Sequence, residues 1–193
     1  MATINISLDA KSFEGAIRQV NAIYKKMVTK VPSVFIDKSL EWVKNRANRY
    51  LSEIQMDGEI ITDIQGSWEI EKISKNVKRL VNTSRKAVFV EFGVGRIGKE
   101  NPHPQSYEEN YEYDKPTRFK HSDGRWVFDA RHKQYAIDLN EGYFGIYQRE
   151  NSGKIVAITK GSPANLYLYN AMMDFISERA YKMLWGETLV EVL

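Results

Sequence analysis

The 193-residue chain is 42% hydrophobic and 27% charged, with a net charge of +3 and a pI of about 8.9. Its length suits one domain with an appended arm, and its composition excludes disorder or membrane residence as a description of the whole chain. The weak basicity, with Lys and Arg spread among nearly as many acids, argues against a dedicated nucleic-acid binder, which gathers its cations on one face.

No cysteine is present, which excludes disulfides, thiolate zinc sites and cysteine nucleophiles. The opening MATINISLDA alternates polar and apolar residues rather than running from charged to apolar as a signal peptide does. No run approaches the roughly 18 apolar residues of a membrane span, so no membrane partner and synthesis in the cytoplasm are expected. Aromatic residues make up 12% of the chain, 11 of them Tyr, a bias toward contact surfaces.

In chain order, Phe13, Ile17, Val20, Tyr24, Met27 and Val31 recur at spacings of three and four, one stripe of an amphipathic helix. Asp9 and Ser12 compete as its N-cap, and Pro32 predicts a break or kink. A second stripe follows in Phe35, Ile36, Leu40, Val43, Ala47, Tyr50, Leu51 and Ile54. Such long amphipathic helices need partner surface.

From Gly58 to Ile73 the pattern reads as strand, clearest at Trp68 and Ile70. Val77, Leu80 and Val81 predict a second strand ending at Asn82, giving an antiparallel sheet of two to four strands. Residues 99–125 are rich in Pro, Asn, Ser and charge, with four aromatics embedded, and predict a long loop. Strands are then expected at Trp126–Asp129, Gly142–Tyr147 and Lys154–Thr159, the last two joined by a turn at Glu150–Gly153. Gly161-Ser-Pro163 leads into a closing helix over about residues 165–185, with Leu166, Tyr169, Met172, Met173, Ile176 and Ala180 on its apolar face. The expected fold class is α+β: an antiparallel sheet packed against a long N-terminal helix or helix pair and a C-terminal helix. It is expected to form a single domain over 1–193, with a helical arm about 9–55 and a loop and hairpin insertion about 99–150.

The stretch VFVEFGVGRIG, residues 88–98, contains G-x-G-x-x-G, the outline of a dinucleotide-binding turn. In that fold the third glycine lies within a helix whose N-terminus holds the pyrophosphate. Pro102 and Pro104 follow too soon for such a helix, and a loop rather than a parallel strand comes next. No cofactor is expected.

The three histidines, His103, His121 and His132, lack metal-site spacing; they read as surface-loop residues, and no metal is expected. The carboxylates Glu108, Glu109, Glu112 and Asp114 interleave with Tyr107, Tyr111 and Tyr113, which predicts a solvated or partner-binding loop rather than a catalytic pair. No nucleophile elbow, phosphate loop or His-Glu-x-x-His occurs, so no catalytic residue is assigned and the protein is expected not to be an enzyme. Lys72, Lys75, Lys78, Arg79, Arg85 and Lys86 form a basic strip. It carries the alternative reading, a nucleic-acid-binding module, against a default of lysines that protect strand edges.

Asn82-Thr-Ser-Arg-Lys-Ala87-Val-Phe-Val-Glu91-Phe92-Gly93-Val-Gly95 resembles the recurring pattern of the minor structural proteins at the head–tail junction of long-tailed phages, the neck, head–tail connector or tail-completion proteins. That pattern is an Asn closing a strand, then Ala, then Glu-Phe-Gly-Thr-Gly. Tyr167-Leu-Tyr-Asn-Ala171, preceded by Gly161 and Pro163, is similar to the family's entry into its closing helix. Val94, Lys86 and Asn170 depart from the family's Thr, Tyr and Pro.

The resemblance implies that Ala87–Phe92 is a short helix, with Gly93 as a left-handed C-terminal cap and the glycines as a hinge for the loop. Glu91 is then expected to anchor the turn through backbone N–H groups, or else to face a neighbouring subunit. The resemblance further implies a non-enzymatic ring of identical subunits in the virion, made in the bacterial cytoplasm. Its neighbours would be head-completion and tail-terminator proteins, and DNA would pass through it transiently. Tyr107, Tyr111, Tyr113 and Trp126 are the expected contacts to subunits or partners.

Overall fold

In the computed structural model, which describes residues 10–56, 58–93, 95–104, 126–129, 145–148, 155–159 and 163–193, the apolar stripes of the first third become two helices. These are α1 (Ala10–Thr29) and α2 (Val31–Glu53). Lys30 is the single residue between them, itself near helical geometry at φ −96° and ψ −46°. Pro32 has no N–H to bond back into α1 and sits in the first turn of α2, where that donor has no helical partner anyway. The proline therefore opens α2 without the loss of a helical hydrogen bond.

The fold class is α+β, and the chain divides into two compact units: Met1–Thr83 with Tyr167–Leu193, and Ser84–Leu166. The first unit holds α1, α2, α3 (Gly58–Gly66), β1 (Trp68–Ser74) and β2 (Val77–Asn82), together with α6 (Tyr167–Ser177) and α7 (Ala180–Val192). The second holds α4 (Arg85–Phe92), α5 (Gly95–Glu100), β3 (Trp126–Asp129), β4 (Gly145–Gln148) and β5 (Ile155–Thr159).

Helix α2 is the spine of the first unit, with α1, α3, β2, α6 and α7 all packed on it. Ala47 and Leu51 of α2 and Ala171 of α6 are fully buried. Phe35 meets Trp185 edge-on at 5.2 Å, and Trp42 meets Phe175 at 5.5 Å, geometries that aromatic quadrupoles favour. Polar ties frame these contacts. The Tyr50 hydroxyl donates to Asp174 Oδ2 at 2.7 Å, Arg46 pairs with Asp174 and Glu178, and Lys38 pairs with Glu191 at 2.7 Å.

The strands β1 and β2 pair antiparallel, Trp68 opposite Asn82 and Ile70 opposite Leu80, with an irregularity between Lys72 and Ser74. Lys78 reaches from β2 to Asp37 of α2 at 2.6 Å and fastens the hairpin to the spine. In the second unit the antiparallel sheet has the order β3-β5-β4. Gly145 lies opposite Ile158 and Gln148 opposite Ile155, the expected hairpin, although its turn lies outside the described residues.

Three expectations are corrected. Gly58–Gly66 is helix rather than strand. Ile60, Ile61 and Ile64 recur at one, three and four, which is helical spacing, and Ile64 is fully buried. The closing helix is two helices, α6 and α7, broken at Arg179, whose φ of 55° and ψ of 33° are left-handed. Its apolar face also differs: Met172, Met173 and Ile176 are exposed, while Tyr167, Ala171, Ala180 and Leu184 are buried. The polar residues of α6, Asn170, Asp174 and Ser177, line up at spacings of four and three, yet α2 engages Asp174 on that side through Tyr50 and Arg46, so the apolar pattern points to the wrong face.

Candidate functional site

The stretch that carries the family resemblance builds a short capped helix in the second unit. Ser84, at φ −67° and ψ 126°, accepts a hydrogen bond from the backbone N–H of Lys86, the arrangement that makes serine a good N-cap. Ala87, Val90 and Glu91 then fall on one buried face, while Val88 and Phe89 are exposed. This spacing of three and four is what a helix needs to bury one side, so residues 87–92 form the helix that the resemblance implies.

Gly93 ends the helix, its N–H still bonded to Phe89 O at 3.0 Å. Its φ of 75° and ψ of 175° differ from the expected left-handed cap. Positive φ with extended ψ is a region that only glycine enters freely, so the requirement for glycine here is stricter than a left-handed cap would impose. Two further carbonyls at the end of α4 are satisfied from a distant segment. Asn165 donates its backbone N–H to Val90 O at 3.1 Å, and Leu166 donates to Glu91 O at 3.3 Å. The Asn165 side chain adds a second bond to Val90 O. A helix C-terminus leaves its last four carbonyls without helical partners, and here the irregular residues after Pro163 supply donors.

Glu91 is buried at the end of α4. Its carboxylate meets His103, with Nε2 and Oε1 3.0 Å apart and side-chain exposures of 2% for His103 and 6% for Glu91. The imidazole also stacks on Phe92, ring centroids 4.3 Å apart and planes at 29°. His103 is therefore a buried clasp and not the surface-loop histidine expected. It draws the segment after α5 back onto α4 by gripping two consecutive residues of the motif.

The glycine hinge is corrected in part. Gly95 and Gly98 lie within α5, six residues long, so helix does begin after Gly93. It stops at Asn101, which returns its side chain to Ile97 O at 3.0 Å, ahead of Pro102. The next strand, β3, pairs antiparallel with β5, whereas a dinucleotide crossover needs a parallel neighbour.

Other residues singled out from the sequence are divided between the two units. Asn82 closes β2 and donates from Nδ2 to Ile64 O at 2.7 Å, and Ala171 is buried in α6. Pro163 lies two residues before Asn165 in the second unit. Trp126 opens β3 opposite Thr159. Tyr107, Tyr111, Tyr113, Gly161, His121 and His132 lie outside the described residues.

The basic strip is also divided. Lys72, Lys75, Lys78 and Arg79 belong to the hairpin, and Arg85 and Lys86 to α4. Lys78 is neutralised by Asp37 and Arg79 by Glu71, each at 2.6 Å. Cations held by carboxylates have less to offer a phosphate backbone.

His103 and Asn165 are the contributors that sequence reasoning missed. A histidine between two prolines, twelve residues beyond its partner, follows no local period. Asn165 reaches Val90 O, 75 residues away in sequence, through both its backbone and its side chain. Among the described residues, no group of three or more histidine, aspartate and glutamate side chains is placed to hold a metal ion. No described helix is long and apolar enough to cross a membrane. The chain matches no family profile, no curated protein and no solved structure.

Proposed function

We propose that this protein is a non-enzymatic structural component of a long-tailed phage, placed in the virion at the head–tail junction. It assembles there as a ring of identical subunits that joins head to tail and surrounds the passing DNA. The observation that carries the reading is the Ala87-to-Gly95 element. It combines the family's residue pattern with a local geometry that gives four of the matching residues a task. Ala87 faces inward on a capped helix, Glu91 and Phe92 hold His103, and Gly93 takes a backbone conformation closed to other residues.

A ring closes through heterologous contacts, so each subunit presents two unlike faces. The tyrosine-rich residues 105–147 supply one of them in this reading, since Tyr contributes large contact area with a polar tip. The modest net charge of +3 suits a channel past which DNA must slide without being gripped.

Deleting the reading frame from its phage or prophage and imaging the particles by electron microscopy tests the proposal. DNA-filled heads beside unattached tails are expected. Normal, infectious virions would overturn it.

A further inference from the structure

Helix α1 carries an apolar stripe that the fold leaves open. Ile17 is 45% exposed, Val20 49%, Tyr24 65% and Met27 42%. Ala16, on another side of the helix, is buried. Of the residues that the sequence predicts to need partner surface, Ile17, Val20, Tyr24 and Met27 stay exposed although α2 and α7 both pack on α1.

The stripe's spacing is 4-3-4-3-4, the repeat of a heptad seam. A seam of this kind fits another helix with the same repeat. We infer that α1 pairs with the α1 of a second copy of this chain through Ile17, Val20, Tyr24 and Met27. This inference does not depend on the neck reading.

Three features favour a second copy as the occupant. First, the seam's flanking positions are Glu14, Asn21 and Val28 on one side and Ala16, Ile23 and Lys30 on the other. They carry one acid and one base, so two copies meet without rows of like charge. Second, the other cations of the helix, Lys11, Arg18, Lys25 and Lys26, stand away from the seam in the heptad frame; a helix built for an acidic partner would place them beside it. Third, side-chain sizes match in an antiparallel pairing. Heptad layers then set Val20 against the partner's Tyr24 and Ile17 against the partner's Met27, small with large in the central layers. A parallel pairing would force Tyr24 against its own copy.

Twenty residues give a contact about 30 Å long. The pairing is isologous and makes a dimer; a closed ring requires a further, heterologous face.

Sedimentation of the full-length protein at rising concentration is the first test. A species of twice the 22.4 kDa chain mass is expected, reduced to one chain mass by Val20→Glu and unaffected by Arg18→Glu. Val20 is already half exposed, so Val20→Glu should retain the helical circular dichroism of the parent. A single chain mass at every concentration, or a dimer indifferent to Val20→Glu, would overturn the inference.

Because the chain has no cysteine, introduced thiols report without background. An equimolar mixture of Val20→Cys and Tyr24→Cys chains should form disulfide-linked dimers several-fold faster than either chain alone. Faster linkage within either single population would overturn the antiparallel order.

Discussion

The His103 imidazole and the Glu91 carboxylate meet at 3.0 Å, both almost wholly buried, across twelve residues of sequence. The contact closes a loop that contains Gly93, all of α5 and the turn at Pro102. Its significance lies in where it attaches. Glu91 also offers its backbone carbonyl to Leu166 N–H, so one residue of α4 receives two segments of the second unit, one by side chain and one by main chain.

Removing the imidazole deprives a buried side chain of this hydrogen bond, a change that costs about 1–3 kcal/mol. His103→Ala is expected to destabilise the second unit by about 2 kcal/mol. His103→Gln, which keeps a nitrogen donor, should lose less. Hydrogen exchange of the α4 amides read beside urea unfolding checks this. Equal loss in the two variants would mean that ring packing on Phe92, rather than the hydrogen bond, carries the stability.

Gly93→Ala puts a Cβ where φ is 75° and ψ 175°, a conformation that costs a non-glycine residue about 1–3 kcal/mol. A drop in stability of about 2 kcal/mol is expected. Gly95→Ala, in the first turn of α5, should cost little, because alanine favours helix. Thermal unfolding of the two variants against the parent decides it, and an indifferent Gly93→Ala would remove the strict glycine requirement.

These contrasts show what was legible in the chain. The 4-3 spacing of Ile17, Val20, Tyr24 and Met27 announced α1, and Pro32 announced its end, because both act within a few residues. Trp68 and Ile70 announced β1 by alternation for the same reason. Ile60, Ile61 and Ile64 were open to either period, and burial of Ile64 against the first unit decided for helix. The packed side of α6 was not legible, because Met172, Met173 and Ile176 are as apolar as the residues that are buried. Nor was the clasp on Glu91: His103 reaches it only after Gly93 and α5 have turned the chain. Local rules therefore placed Gly93, while tertiary packing chose its neighbours.

Tyr50 and Asp174 supply a pH-dependent tie between α2 and α6. The hydrogen bond to Asp174, then desolvation and the negative charge of Asp174, hold the Tyr50 hydroxyl above its ordinary pKa of 10.0. A raised value in the folded state means the folded chain keeps this proton more tightly than the unfolded chain does. The resulting stability is complete below the unfolded value, about 10, and is lost as the pH climbs through the higher folded value. The parent should therefore be more stable than Tyr50→Phe near neutrality and lose that advantage in alkali, where tyrosinate faces the Asp174 carboxylate. Urea midpoints for both proteins across the alkaline range check this. A constant difference between them would show that Tyr50 does not titrate against Asp174.

Arg179 links α6 to α7 in a left-handed conformation, φ 55° and ψ 33°. Its backbone N–H bonds to Ile176 O and its carbonyl accepts from Lys182, so the turn is fixed although its side chain is exposed. A left-handed residue with a Cβ carries a steric cost of about 1–2 kcal/mol, which glycine escapes at some expense in unfolded-state entropy. Arg179→Gly is expected to stabilise the first unit by up to about 1 kcal/mol, raising Tm by about 2–4 °C. Arg179→Ala keeps the Cβ and should bring no gain. If alanine and glycine raise Tm equally, the benefit comes from removing the arginine side chain, and the break between α6 and α7 stores no backbone strain.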